Sequence, residues 1–220
     1  MTLTLLLLAA GAVWLYRNRR YRPGAGASSA ARARKLRTPA VRIAALFNIT
    51  TRAGKLAADC DAGAAGERRT AARINPLRRT GWTILHDLAL PASAANVDHL
   101  AISPNGVVIL PDTKRWSRRW PIRIINGRLF HGTRDVTERL NGLRYEARTV
   151  ASLIGVPVIP LVLMDGAPVE GGELLLDGIR IVPAERACTV LRRLGAGRSH
   201  GTAAELSRRA RQHLQPYRKA

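Results

Sequence analysis

The sequence predicts an α/β domain in which helices cover a sheet, and three features of its pattern carry that expectation. Pro104-Asn105-Gly106 separates two short apolar runs, Leu100 to Ile102 and Val107 to Leu110, and Asn-Gly between strand-forming residues is a strong local signal for an antiparallel hairpin. Thr137 to Leu153 repeats apolar residues at Leu140, Leu143, Ala147 and Val150, the spacing of a helix laid on one sheet face. Val156 to Met164 is almost continuously apolar, as a buried strand is. With 220 residues, 46% of them hydrophobic, the chain can bury one core of ordinary size and carry appendages.

The elements follow in order. Residues 1–16, MTLTLLLLAAGAVWLY, hold no charge and end in Trp14 and Tyr16, residues that favour membrane interfaces. Sixteen helical residues span roughly 24 Å, a marginal length for a hydrocarbon core of about 30 Å. Arg17, Arg19, Arg20 and Arg22 follow the apolar stretch. A secretory signal puts its positive charge first, so this order predicts an uncleaved single-pass transmembrane anchor with its C-terminal side in the cytoplasm. Eleven Lys or Arg and no acid lie between Arg17 and Ala58, a segment suited to anionic headgroups or to a DNA backbone. Pro23 to Ser29 reads as a flexible linker. Thr38-Pro39 ahead of AVRIAALF reads as a capped helix start with proline at its first position.

GAAGERRTAARI, residues 63–74, is expected to form a helix of about three turns stopped by Asn75-Pro76. Trp82 to Leu90 is the first strand, and His86-Asp87 and His99 read as structural. A second hairpin turns at Asn126-Gly127. After the turn region GGELLLDG, Ile179 to Val182 gives a short strand, and Ala187 to Leu194 and Thr202 to Leu214 give closing helices.

Chemistry concentrates at the open end of the first hairpin. Strand side chains alternate faces, so Asp112 and Lys114 share one face, and antiparallel pairing returns Asp98 beside them. Two carboxylates and an ammonium at one place suit phosphodiester hydrolysis: acid oxygens hold magnesium, and an ammonium orients a nucleophile or offsets developing charge. Only four of the 36 cationic residues are lysines, at 35, 55, 114 and 219. A position needing mere positive charge would here be arginine, and the two cations differ chemically. Taken by spacing alone, the same residues also describe a solvated strand face.

Several motifs occur together in one order: Gly63-Ala-Ala-Gly66-Glu67, Trp82-Thr-Ile-Leu-His-Asp87, Asn96-Val-Asp98-His99, Pro104-Asn-Gly106 and Asp112-Thr-Lys114. This set resembles the nuclease-related domain, NERD, within the PD-(D/E)XK nuclease superfamily, from about residue 60 to about 190. The resemblance implies a restriction-endonuclease-like mixed sheet flanked by helices. It also implies a site of Glu67, Asp98 and Asp112 around Mg2+ or Mn2+, with Lys114 as the catalytic lysine. One irregularity accompanies it: Pro111 lies inside the second strand, and proline belongs at edges or bulges, so a bulge that re-aims Asp112 is expected as one outcome.

Net charge is +21, which calls for an anionic partner. Arg115, Arg118 and Arg119, interleaved with Trp116 and Trp120, suit a nucleic-acid backbone with stacked bases; core packing of one tryptophan fits equally. Cys60 and Cys188 form neither a zinc motif nor a disulfide framework, consistent with a reducing cytoplasm, and no phosphate-binding Gly-rich loop is present. The expected organisation is an anchor over 1–16, a basic linker and lead-in helix over 17–58, a NERD-like domain over 59–195 and a basic helix over 196–220. The expected function is a membrane-anchored, metal-dependent nuclease acting on DNA. The alternative is a non-catalytic membrane tether that binds nucleic acid through a degraded nuclease fold, and a weaker third option is that the anchor and the polybasic run over 17–58 recognise lipid alone.

Overall fold

The computed structural model describes residues 24–91, 93 and 95–217. Two short helices, α1 (Ala27–Leu36) and α2 (Pro39–Leu46), lead into the 23-residue helix α3 (Arg52–Ile74). The expected start of α2 is borne out: Pro39 is its first residue, and the Thr38 hydroxyl accepts from the Val41 N–H at 3.4 Å. Two expectations need correction. Residues 27–36, read in part as a linker, form α1, which buries Ser28, Ala31 and Ala33. The helix expected over 63–74 begins at Arg52, where the Thr51 hydroxyl accepts from Gly54 N–H at 3.0 Å. Its alanine-rich first half lacks an apolar stripe, so periodicity did not reveal it.

Strands β1 (Thr83–Ala89), β2 (Asn96–Ile102) and β3 (Val108–Trp116) form an antiparallel meander. A separate three-stranded sheet follows, β4 (Ile122–Ile125), β5 (Arg128–His131) and β6 (Arg134–Asp135), turned at Asn126-Gly127, both of positive φ. Helix α4 (Asn141–Ile154) then crosses to β7 (Val158–Gly166), parallel to β3. Strands β8 (Leu174–Leu176) and β9 (Ile179–Pro183), helices α5 (Ala187–Gly195) and α6 (Ala203–His213) and the short β10 (Gln215–Pro216) complete the chain. The main sheet runs β10-β1-β2-β3-β7-β9-β8. Pairing is antiparallel from β10 to β3, parallel from β3 through β7 to β9, and antiparallel again at the edge strand β8, so it is the mixed, helix-flanked sheet expected.

The alternation of side chains divides the core between two layers. Ile84, Ala101, Ile109, Leu161 and Leu163 pack with Ile74 of α3 and Val190 and Leu191 of α5. Leu100, Ile102, Leu110, Val162 and Met164 pack on the other side, with Leu143, Ala147 and Val150 of α4 and Leu206 of α6. The predicted spacing on α4 is therefore the stripe that meets the sheet.

The hairpin between β2 and β3 has a closed end and an open one. At the closed end the Ser103 N–H donates to Val107 O at 2.9 Å, and Gly106 takes φ 76°, the left-handed residue a three-residue turn requires. Pairing between β2 and β3 is confined to Ala101–Ile109 and Ile102–Val108. Beyond it the strands part, β2 staying with β1 and β3 with β7. No bulge occurs at Pro111: β3 pairs with β7 one residue to one from Val108 to Trp116. Proline's missing donor breaks no β2 bond, because β2 has already left.

The expected anchor, residues 1–16, lies outside the described residues. Among those described, no helix is long and apolar enough to cross a membrane.

Candidate nuclease site at the parted strands

Where β2 and β3 separate, their facing residues would be Asp98 and Asp112 if pairing continued. Asp98 follows Leu100 and Ile102 onto the α4 face, and Asp112 and Lys114 follow Leu110 onto it as well. Lys114 Nζ stands 2.7 Å from Asp112 Oδ2. That is an ion pair, and Lys114 is the partner of this buried oxygen. Burial opposes the Lys114 charge, yet Asp112, then Asp98 and Glu146, outweigh it and hold the ammonium above its ordinary range.

Glu67 comes from the other layer. It is 5% exposed on α3, and its Oε1 accepts from the Ser29 hydroxyl of α1 at 2.8 Å, while Oε2 is buried without a partner. Burial raises its pKa, Ser29 lowers it, and the charges of Asp87 and Asp112 raise it again. Asp98 is pushed well above the usual carboxylate range, first by burial, then by Glu67, Asp112 and Glu146. The electrostatics thus tie together the four predicted residues, from two layers and two strands.

One member was missed by sequence reasoning. Glu146 on α4 is half-buried, and its carboxyl is pushed up to about 8, by burial first and then by Asp112, against the lowering effect of Lys114. It lies three residues after Leu143 and one before Ala147. A carboxylate that close to a sheet-facing stripe was the available signal.

Carboxyls crowded enough to raise one another's pKa, with Glu67 Oε2 buried and without a partner, are the donor chemistry a hard divalent cation takes. A finished shell is not formed: among the described residues no three His, Cys, Asp or Glu stand close enough to hold a metal ion. Ser29 on Glu67 and Lys114 beside Asp112 engage oxygens that such a shell would use.

Residues 62–164 match the family model of NERD, the nuclease-related domain. The chain carries a NERD domain. That family lies in the PD-(D/E)XK-like nuclease superfamily, whose domains usually use divalent metals, and the matched segment contains Glu67, Asp98, Asp112, Lys114 and Glu146. Neither a search of curated proteins nor one of solved structures finds a match.

The other NERD motif residues are structural. Asp87 has φ 52° and closes the end of β1: its carboxylate accepts from the Ser28 N–H at 2.7 Å and from the Asn96 amide at 2.9 Å. His86 and His99 are cross-strand partners on the α3 face. Past Lys114 the strand runs into a cleft of about 500 Å³, lined by Arg69, Arg115, Trp116, Ser117, Arg118 and Asp165. Of the two tryptophans in question, Trp116 packs at the core's edge with Arg139 over its ring. Trp120 is 49% exposed, with the Arg119 guanidinium 5.2 Å from its ring centre. Core packing therefore holds for Trp116, while Trp120 stays exposed beside Arg119.

Proposed function

We propose that the chain is a membrane-anchored, metal-dependent nuclease that hydrolyses phosphodiester bonds in DNA. The observation that carries this reading is the Lys114–Asp112 ion pair at the parted strands, opposite Asp98, inside the segment that matches NERD. Asp98, Asp112 and Glu67 would hold Mg2+ or Mn2+, displacing Ser29 and Lys114 from the oxygens they now engage. Bound there, the ion supplies positive charge against the phosphoryl oxygens and makes water more acidic. Lys114, freed from Asp112, orients the attacking water and offsets charge on the phosphate. Glu146 keeps its proton at neutral pH and is an acid available to the leaving oxygen. Arg115 and Arg118 in the adjoining cleft, with Arg119 over Trp120, suit a phosphate backbone and an unstacked base.

Residues 1–16 and the four arginines after them support a cell-membrane location, with a single span and the domain in the cytoplasm. Lys114→Ala should abolish magnesium-dependent cleavage of DNA while leaving folding, and DNA binding at matched salt, unchanged. Equal cleavage by variant and parent overturns the enzymatic reading. The tether alternative is favoured by one observation, the lack of a finished three-donor shell among the described residues. A tether binds DNA with steep salt dependence and cuts nothing with or without metal.

A further inference from the structure

The segment ahead of α3 exposes apolar side chains where the fold has no use for them. Helix α2 buries no residue. Ile43 is 55% exposed, Leu46 81%, Phe47 73% and Ile49 60%. Of the nine large exposed hydrophobics among the described residues, Leu46, Phe47 and Ile49 are the three most exposed, and with Ile43 all four lie within seven consecutive residues. The turn after α2 is well formed: Asn48 takes φ 56° as the left-handed cap of α2, and the Ile49 N–H closes on Ala44 O at 2.9 Å. The knob is thus held out by a specific turn.

Its surroundings are cationic. Arg32, Arg34, Lys35, Arg37, Arg42, Arg52 and Lys55 occupy residues 24–58, and no acid precedes Asp59 in the sequence. Between α2 and α3 lies a cavity of about 640 Å³, whose lining includes Val41, Arg42, Ile49, Thr51 and Lys55. Arg37 also lines it but is paired with Asp61 at 2.5 Å, which leaves Arg42 and Lys55 as the cations facing the cavity. An apolar knob in an acid-free, cation-rich segment, beside a cavity lined by Val41 and Ile49 together with Arg42 and Lys55, is complementary to headgroup phosphates above hydrocarbon. A nucleic-acid backbone matches the charge but offers the four apolar side chains nothing.

From this we infer that the α2–α3 hairpin is an interfacial docking element, which seats Leu46, Phe47 and Ile49 in the surface of an anionic phospholipid bilayer. It deepens the membrane reading above but does not depend on residues 1–16, because the knob belongs to the folded domain. It also fixes orientation. Glu67 stands fifteen residues along α3 from Arg52, about 22 Å of helix, so α3 acts as a spacer between the headgroups and the nuclease cleft.

The test uses the full chain with Cys60 and Cys188 replaced by Ser and one new cysteine, Phe47→Cys or Leu175→Cys, carrying an environment-sensitive fluorophore. Leu175 is a control at 56% exposure on β8. With vesicles of equal parts phosphatidylcholine and phosphatidylglycerol, emission from position 47 should shift to the blue and be quenched by a nitroxide-bearing lipid, while position 175 is unchanged. Phosphatidylcholine alone should reduce the effect severalfold, and Leu46→Asp with Ile49→Asp should weaken it about tenfold or more. A water-exposed probe at 47 in anionic vesicles overturns the proposal. So does a shift without lipid that grows with protein concentration, which marks a second copy as the occupant, or a shift caused by DNA alone. Flotation of the same samples reports the anchor separately, and DNA cleavage reports the nuclease reading separately. A chain that floats and cuts while position 47 stays in water defeats this inference alone.

Discussion

Asp98 and His99 are neighbours on β2 that face opposite layers, and their surroundings treat charge in opposite ways. On the α3 face the polar groups settle among themselves. His86 Nε2 lies 2.9 Å from the Asn75 amide oxygen and His86 Nδ1 lies 2.8 Å from His99 Nδ1. An amide oxygen only accepts, so His86 Nε2 carries the proton, His86 Nδ1 accepts, and His99 Nδ1–H donates. Protonating His86 would set two N–H groups against each other, and protonating His99 would put a second N–H on its buried Nε2, which has no partner. Accordingly both rings are held neutral: burial, then Arg78, takes His86 down to about 4, and burial, then His86, takes His99 down to about 3. On the α4 face the carboxyls of Asp98 and Glu146 do the reverse, raised by burial and by the charge of Asp112. One face resolves its burden through a tautomer. The other keeps it, as acids held above their ordinary range beside Lys114.

The largest test of that contrast is catalytic. Asp112→Asn keeps shape and removes charge, and DNA cleavage should fall on the order of 10³-fold. His99→Phe, one residue from Asp98 but on the quiet face, should leave cleavage per folded molecule unchanged. If both substitutions cost the same, the two faces are not chemically distinct and the assignment of the site fails.

Next in size are the stability effects, which should run in opposite directions with pH. The His pair binds protons less readily when folded than the unfolded value near 6.5. Its stabilisation is therefore present above pH 6.5 and lost as pH falls towards 4. Glu146 is the converse: the unfolded chain releases its proton near 4.5 and the folded one near 8, so its stabilisation is present below about 4.5 and lost as pH rises through 8. Denaturant unfolding at pH 5 and pH 8 checks both. Glu146→Gln should flatten the alkaline decline and leave the acid side alone. His99→Phe should flatten the acid side, at a cost of about 1–3 kcal/mol at pH 7 for the hydrogen bond that His86 Nδ1 loses.

Magnesium sharpens the comparison without any reference to cleavage. If the α4 face holds the ion, magnesium at a hundred times its Kd should stabilise the parent by about 2.7 kcal/mol at pH 8, and less at pH 5, where the carboxyls are protonated. The same addition to Asp112→Asn should do little. A parent whose unfolding midpoint ignores magnesium at pH 8 favours the tether.

Much of this was legible before any coordinates. Alternation along two strands and one Asn-Gly turn were enough to bring Asp98, Asp112 and Lys114 to one end of a hairpin, because register follows from the turn. The reach of Glu67 came from resemblance alone, since helix periodicity says nothing about a neighbour in another layer. The parting of β2 from β3 could not be read, because pairing length depends on which neighbour each strand keeps. That parting is also why Pro111 is harmless, although its effect on an unbroken ladder would have been a bulge. Glu146 escaped because its role comes from the sheet residues it faces rather than from any motif of its own. Helix α1 escaped because Gly and Ser dominate its start, while Gly26 at φ 76° brings its backbone against Ala64 O, where a Cβ would stand at 2.6 Å.

The smallest expected effect lies beyond the cluster, in the arginine cleft. Arg118 is exposed and lines that cleft with Arg115 and Trp116, so it is placed to touch a backbone phosphate and not the reacting atoms. Arg118→Ala should weaken DNA binding severalfold at moderate salt, reduce the slope of log affinity against log salt by about 1, and leave kcat intact. Each phosphate neutralised releases counterions independently of base sequence, so the loss should be uniform across substrates. A change in kcat at saturating DNA would instead put Arg118 within the carboxylate cluster's chemistry, and the boundary between cutting face and gripping cleft would have to be redrawn at Trp116.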